Sequence, residues 1–330
     1  MHTLAVYGWD EHEPRLLNAL QHAAPFRLAA VGDGRTAALV RARAATGSPC
    51  YQHATEMFRR EHFDAALLAS AAGAAQVAQA AAGSGAAVLL AGDQADGGTI
   101  LEAGEAALRA RVPFAVLRPR LQHAGIAFLL NLVASEPGWR PCYLEATLAG
   151  PADALELIRN AVAVADRLMQ TTPDAVSGTA IGGDEVAATA ATGELRYDGR
   201  LATLRARGAE EDRVTLLAEC PLGQLELTTL GAHSTVTMTL RDGRRETSRL
   251  TDRDPFVLEA QRAARALTGE GGDALLAPRD GSVLLALEQA MDTGQVVLVE
   301  ERSSRANLVL VESHGAPTST PRGRLHLVGV

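Results

Sequence analysis

The sequence predicts an α/β protein with a doubly wound parallel sheet over residues 1–120, followed by an α+β part over residues 121–330 with an open, mainly antiparallel sheet. Short apolar runs alternate with helical patterns in the first 120 residues, which is typical of parallel strands joined by crossover helices. Beyond residue 185, runs with a period of two indicate an antiparallel sheet with one wet face. The chain of 330 residues is long enough for two hydrophobic cores.

The first part contains five apolar runs of strand length, as expected for strands buried on both faces. These runs are residues 4–7, 28–31, 65–69, 88–91 and 114–117. Helices are predicted between them. Leu16, Leu17 and Leu20 share one helix face, a second helix is expected over residues 36–45, and a third passes through Leu101 and Leu108.

The second part mixes helices with alternating runs. Strands are predicted at residues 142–148, 214–219, 224–229 and 235–240, and helices at 126–135, 154–169, 255–267 and 282–292. Gly and Asp residues between the alternating runs indicate turns. Two further strand-like runs, residues 307–311 and 325–330, lie in the last thirty residues.

Composition excludes several classes of function. The net charge of −8 disfavours a nucleic-acid partner, which would require a basic face. The three cysteines show neither a disulfide pattern nor metal-type spacing, so a cytoplasmic protein is expected. No signal peptide or membrane span is predicted. All 31 basic residues are arginine, so no lysine is present to form a Schiff base or to act as a general acid.

The order of elements resembles the glucose–fructose oxidoreductase / inositol dehydrogenase family, called Gfo/Idh/MocA. The resemblance rests on an ordered set of segments, namely residues 4–8, 28–33, 63–70, 133–143, 254–263 and 280–288. It implies a Rossmann-type nucleotide-binding sheet with NAD(P) as cofactor, a substrate-side second domain, and a homo-oligomer formed through the C-terminal sheet.

The first turn departs from the family's G-x-G-x-x-G pattern, in which glycines let the backbone approach a pyrophosphate. Gly8 keeps the first place, but Asp10 and Glu13 take the second and third. Their carboxylates compete with phosphate for the positive end of the following helix. Alternatively, Asp10 and Glu13 form a capping pair, or Glu13 simply precedes Pro14 at the first helical position. In each case, phosphate binding is expected to be weakened.

Asp33 ends the second predicted strand, 25 residues after Gly8. In the family, an acid at this position binds the adenosine ribose hydroxyls and excludes a 2′-phosphate. If a dinucleotide binds, NAD is therefore favoured over NADP. The alternative is an ordinary turn acid beside Gly34.

Two further family positions are altered. Gly92 stands where the resemblance places the catalytic lysine, and Ala163 stands where it places the proton-transferring histidine. Along the same helix, Arg159 replaces an acid and only Asp166 is retained. Loss at three separate points of one site suggests lost or replaced catalysis.

The remaining polar groups of the predicted cleft are Arg118, Arg120 and His123, on the segment after the sixth family strand. The two guanidinium groups suit a carboxylate or phosphate ligand, and His123 is the candidate catalytic residue. Arg159 and Asp166 complete the candidate site. The alternative is a solvated loop end whose arginines pair with surface acids.

Two functions follow from these residues. The first is a divergent relative that has lost dehydrogenase chemistry and acts as a ligand-binding or partner-regulating protein for a small, possibly anionic molecule. The second is an NAD(P)-dependent oxidoreductase acting on a sugar, polyol or other carbonyl compound with a non-standard proton donor. Hydride transfer depends mainly on orienting two carbons, so the second remains open.

Overall fold

The computed structural model describes residues 1–11, 14–69, 73–92, 95–182, 187–268 and 277–299. Four predicted features fall outside them: Glu13, Ser70 at the end of a segment carrying the resemblance, and the strand-like runs at residues 307–311 and 325–330.

The first sheet contains six parallel strands among the described residues, in the order β3-β2-β1-β4-β5-β6. The strands are β1 His2–Tyr7, β2 Phe26–Gly32, β3 Cys50–Tyr51, β4 Ala65–Leu68, β5 Ala87–Ala91 and β6 Phe114–Leu117. All four residues of β4 and all four of β6 are buried, because helices cover both faces of the sheet. The predicted doubly wound parallel sheet is confirmed.

Five helices connect these strands, and a short 3-10 turn at Trp9–Glu11 precedes the first. They are α1 Pro14–His22, α2 Thr36–Thr46, α3 Ala54–Arg60, α4 Ala74–Gly83 and α5 Gly97–Ala110. Helix α5 begins at a defined residue because the Asp96 side chain accepts a hydrogen bond from the Thr99 N–H at 2.6 Å.

The second sheet contains nine strands among the described residues, in the order β14-β13-β12-β11-β7-β10-β9-β8-β15. They are β7 Tyr143–Gly150, β8 Ala175–Ile181, β9 Ala190–Tyr197, β10 Arg200–Gly208, β11 Arg213–Cys220, β12 Gly223–Leu230, β13 His233–Leu240, β14 Arg245–Thr251 and β15 Val297–Leu298. Only β10 and β7 pair in parallel among them, so the sheet is mainly antiparallel, as predicted.

Four helices belong to this second part of the described chain: α6 Ala124–Ser135, α7 Ala154–Met169, α8 Pro255–Leu267 and α9 Ala277–Thr293. Helix α7 is almost wholly buried against β7, β9 and β10. Helices α8 and α9 return to the first sheet, where α8 packs beside α1 and α9 packs along α5. The two parts are therefore joined by extensive packing, and the boundary at residue 120 stays a prediction.

One face of the second sheet carries a row of four threonines and one arginine in register across five strands. Thr192 of β9 and Thr147 of β7 both pair with Arg205 of β10, which lies between them. Thr147 also pairs with Thr215, and Thr215 pairs with Thr228. A homo-oligomer formed through this sheet stays a prediction. None of the helices in the described part of the chain combines the length and apolar character needed to cross a membrane.

The three thiols differ in accessibility. Burial raises the pKa of Cys220 to about 12, and its thiol donates a hydrogen bond to the Trp139 carbonyl oxygen. Burial also raises the pKa of Cys50, whereas the side chain of Cys142 is exposed.

We expect an aromatic disulfide reagent at pH 8 to modify Cys142 rapidly and Cys220 only after unfolding, because the thiolate is the reacting species. Absorbance of the released thiol measures both phases. The rapid phase should disappear in Cys142→Ser, and rapid modification of Cys220 in the native protein would contradict its burial.

Candidate functional site

The segment that follows β6 carries Arg118, Arg120 and His123, and a buried carboxylate fixes it. Glu259 of α8 is fully buried and accepts a hydrogen bond from the Arg118 N–H at 2.8 Å. It also accepts one from the Gln122 side-chain amide at 2.6 Å and one from Arg262 Nε at 3.0 Å. Because Arg262 also donates to the Val116 carbonyl oxygen, α8 holds both ends of the turn.

The Arg118 side chain is buried and turns toward α7, where Nη1 donates to the Arg159 carbonyl oxygen at 3.1 Å. Its aliphatic stem packs over Gly92. A Cβ added at Gly92 would lie 2.9 Å from Cγ of Arg118 and 3.0 Å from the Leu117 carbonyl oxygen. The added Cβ would also lie 2.5 Å from Cγ1 of Val116, so a side chain at Gly92 would displace both Val116 and the Arg118 stem.

Arg120 pairs with two acids from different elements. Its Nη1 lies 2.9 Å from Glu156 Oε1 on α7, and its Nε lies 3.3 Å from Asp212 Oδ1 before β11. The Arg120 side chain is 21% exposed and therefore still reaches a cavity. These contacts hold the segment after β6 against the second part of the protein.

His123 contacts a carboxylate that lies 129 residues later in the chain. Its Nδ1 lies 3.0 Å from Asp252 Oδ2, and Asp252 is itself 3% exposed. The Asp252 carboxylate also accepts hydrogen bonds from the Ala124 N–H at 2.6 Å and from Ser234 Oγ at 3.0 Å. The ring orientation is thereby fixed, and Nε2 is the nitrogen left for a ligand.

A cavity of about 1000 Å³ opens beside these side chains. It reaches Ala91 and Leu117 at the ends of β5 and β6, and Arg15 and Leu16 near the start of α1. Other lining groups are Arg120, His123, Glu156, His233, Asp252 and Phe256. Clefts at the carboxyl ends of parallel strands are where doubly wound folds bind ligands.

Arg159 lies outside this cavity. Its Nε donates to Glu288 Oε1 at 3.0 Å, while Glu288 Oε2 accepts from the Gly97 N–H at 3.1 Å. Asp166 and Ala163 are buried farther along α7. The structure therefore brings Arg118 to the backbone of Arg159, and Arg120 to the cavity with His123, but it does not unite the arginines in one cationic cleft.

The turn after β1 keeps a tight geometry, but the Asp10 side chain within it is held in ion pairs. Gly8 has φ +90°, which only glycine adopts without strain, and its N–H donates to the Gly32 carbonyl oxygen at 2.9 Å. The Asp10 carboxylate pairs with the Arg41 guanidinium, and Arg35 Nη2 lies 4.0 Å from it. The described partners of the Asp10 side chain are therefore arginines.

Asp33 lies at the end of β2 and is 2% exposed. Arg35 donates to both of its oxygens, from Nε at 3.1 Å and from Nη2 at 3.2 Å. Burial acts to raise the pKa of Asp33, but the hydrogen bonds and charge of Arg35 outweigh it and lower the pKa below its usual value. Asp33 is thus an ionised acid at the position that the resemblance predicted.

The chain is similar to known proteins in its structure but not in its sequence. No protein-family model matches the sequence, and no curated protein matches it significantly. Solved structures do match. An oxidoreductase from Agrobacterium radiobacter, in complex with NAD+, L-tartaric acid and magnesium, is 13% identical with a TM-score of 0.74, over 90% of this chain and 98% of its own.

Two further solved structures also match the chain over almost their whole length. An NAD-binding oxidoreductase from Klebsiella pneumoniae is 16% identical, with a TM-score of 0.73, over 91% of this chain and 99% of its own. Scyllo-inositol dehydrogenase from Lactobacillus casei, with bound NAD(H) and scyllo-inositol, is 14% identical, with a TM-score of 0.70, over the same shares. The chain has the fold of the Gfo/Idh/MocA-type oxidoreductases.

Except for Glu13, the altered family positions lie in described parts of the chain, and packing accounts for two of them. The stem of Arg118 fills the space beside Gly92, and Arg159 is bound to Glu288. No group of three or more His, Cys, Asp or Glu side chains among the described residues is arranged to hold a metal ion.

Two residues of the site were not predicted from the sequence. Asp252 follows β14 and Glu259 lies on α8, so each is more than 120 residues from its partner. An available signal was the acid Glu259 on the otherwise apolar face of α8, beside Ala260 and Ala263. An acid at a core position requires a buried partner.

Glu259→Ala is expected to lower the free energy of unfolding by about 3–5 kcal/mol, because it removes the buried carboxylate that balances the charge of Arg262 and accepts from the Arg118 N–H. Urea unfolding measures this. Glu259→Gln keeps an acceptor and should cost less. In the exposed pair of Glu56 and Arg60, Glu56→Ala should cost under about 1 kcal/mol. Equal losses for Glu259→Ala and Glu56→Ala would contradict the role of Glu259.

Proposed function

We propose that this chain is an NAD-dependent oxidoreductase that acts on a small polyol, sugar or other carbonyl compound, with His123 as the group that exchanges the proton. The observation that supports this most directly is the contact of His123 with Asp252 in the wall of the larger cavity. The cavity lies at the strand ends where ligands bind in doubly wound folds.

The first requirement is a proton-exchanging group that does not depend on lysine. His123 meets it, because its imidazole can give or take a proton at Nε2. Asp252 holds Nδ1 and stabilises the imidazolium that forms when Nε2 takes the substrate's hydroxyl proton. The Ala124 N–H and Ser234 hydroxyl keep Asp252 in place for this task.

The second requirement is orientation of the substrate. Arg120 lines the cavity beside His123, and its pairs with Glu156 and Asp212 fix its position. Its guanidinium suits a hydroxyl or a carboxylate oxygen of the substrate. The solved structures with tartaric acid and with scyllo-inositol hold polyhydroxy compounds in the same fold, which favours a small polar substrate here.

The third requirement is a site for the dinucleotide, whose nicotinamide would supply the hydride chemistry when bound. Gly8 with its positive φ suits the tight turn, and the ionised Asp33 suits the ribose hydroxyls of NAD. Asp10 does not suit a pyrophosphate, because its carboxylate lies in the turn and is paired with Arg41. The fit is therefore better at the ribose end, where Arg35 also binds Asp33, than at the phosphates.

That poor fit favours a second candidate function, a ligand-binding or partner-regulating protein without hydride transfer. It predicts that the larger cavity binds a small molecule while neither dinucleotide binds. Calorimetric titration with NADH and NADPH separates the two candidates. Binding of NADH below about 1 mM supports the oxidoreductase, and no binding of either supports the second candidate.

His123→Ala is expected to lower kcat by about 10²–10⁴-fold and to leave NADH affinity unchanged, since it removes the proton-exchanging group alone. A panel of polyols, sugars and hydroxy acids, followed by NADH absorbance, measures this. His233 lines the same cavity, so His233→Ala is the matched control and should keep its activity. Equal loss in both variants would contradict the assignment.

Asp10→Gly is expected to tighten NADH binding by about tenfold, because it removes a negative charge and a Cβ from the phosphate side of the turn. Fluorescence titration gives the dissociation constant. Arg41→Gln breaks the same ion pair but keeps the Asp10 charge, so it should not tighten binding. Tighter binding in Arg41→Gln alone would show that Asp10 does not limit the cofactor.

A further inference from the structure

A second cavity, of about 510 Å³, lies between α7, α9 and β8. It shares no lining residue with the larger cavity. Its aliphatic walls are formed by Leu155 and Ile158 of α7 with Leu284, Leu287 and Met291 of α9. This volume is within the range of small-molecule sites.

Three charged side chains also line this space, namely the cation Arg159 and the acids Glu288 and Asp292. The Arg159 side chain is 18% exposed, and its Nε binds Glu288. Within the described residues, no hydrogen bond occupies its terminal nitrogens Nη1 and Nη2. A guanidinium that is held at Nε presents these two nitrogens as a fork, which matches the two oxygens of a carboxylate.

Glu288 fixes this arginine and does not fill the cavity. Its oxygens are used by Arg159 Nε and by the Gly97 N–H at the start of α5. Arg159 is therefore held through Nε, and its Nη1 and Nη2 lie beside the aliphatic walls of the cavity. A low-polarity surrounding strengthens an ionic hydrogen bond made at that edge.

We propose that this cavity binds a small monocarboxylic acid with a branched or aromatic apolar tail, with the carboxylate on Nη1 and Nη2 of Arg159 and the tail against α7 and α9. A dianion fits less well, because the walls offer one cation beside the acids Glu288 and Asp292. A sugar fits less well, because the walls on α7 and α9 are largely formed by aliphatic side chains. The site is distinct from the one proposed for proton exchange.

Charge in the cavity makes this binding dependent on pH. The groups that face Glu288 are Arg159 on α7, Asp96 at the start of α5 and, one turn along α9, Asp292. Burial raises the pKa of Glu288, although Arg159 opposes the shift. A bound carboxylate would raise it further, so binding takes up a proton and tightens as pH falls.

The test titrates the full-length protein with benzoate and isovalerate, using calorimetry and ligand-observed NMR, with benzyl alcohol and acetate as comparison ligands. Saturable binding of benzoate or isovalerate, which tightens as pH falls and is stronger than that of both comparison ligands, is expected. No saturable binding of either acid, or equal binding of benzyl alcohol, would overturn the proposal.

Two variants with opposite expected effects locate the site. Arg159→Gln should weaken benzoate binding by about tenfold or more, the equivalent of one charge-assisted hydrogen-bonded pair. Glu288→Gln should tighten binding and reduce its pH dependence, because the competing carboxylate next to Arg159 is gone while Asp292 remains. If Arg159→Gln unfolds, the double variant Arg159→Gln/Glu288→Gln leaves no unpaired charge and should also bind weakly.

Matched controls exclude other sites. Arg167→Gln removes an arginine from the same helix outside the cavity, and His123→Ala alters the larger cavity. Neither should change benzoate affinity. Unchanged binding in Arg159→Gln or in the double variant, or a loss in His123→Ala equal to that in Arg159→Gln, would overturn the assignment.

Discussion

The buried carboxylate of Glu259 is the interaction on which the candidate site depends. It anchors the segment after β6 through the Arg118 N–H and the Gln122 amide, while Arg262 balances its charge. A buried ion is tolerable only when its oxygens are fully satisfied, and here donors from two elements supply that. Once the segment is fixed, Arg118, Arg120 and His123 have little freedom in where they point. The turn after β6 is therefore set by α8, which lies more than 130 residues later.

The same segment joins the two parts of the protein. Arg118 reaches the backbone of α7, Arg120 reaches Glu156 and Asp212, and His123 reaches Asp252 after β14. Each contact packs the two parts together and also fixes the position of a side chain in the candidate site. The arginines that pair with acids at the domain junction are the same ones that line or border the cavities. A purely structural account and a functional account of Arg120 are therefore compatible, since a fixed guanidinium is also a preorganised ligand group.

The sequence predicted most strands of the first sheet well, because a buried strand appears in the sequence as a short apolar run. The predicted run at residues 65–69 matches β4, and the run at 88–91 matches β5, each to within one residue at either end. The short β3 and the helix α3 left no comparable pattern and were not predicted. In the candidate site, Gly8, Asp33 and His123 were proposed from their position along the chain. Asp252 and Glu259 were not, because nothing local in the sequence specifies a partner more than 120 residues away.

An arginine-only chain constrains what chemistry the fold can support. Guanidinium groups stay charged, so they can orient a substrate or stabilise an anion but cannot exchange a proton near neutral pH. Proton transfer must then fall to a carboxyl, phenol or imidazole group. Among the histidines in the described part of the chain, His123 is the one that contacts a carboxylate, and it lies at a cavity formed by the strand ends. Under the proposed function, the absence of lysine moves proton exchange from the end of β5, where Gly92 lies beside Arg118, to the segment after β6.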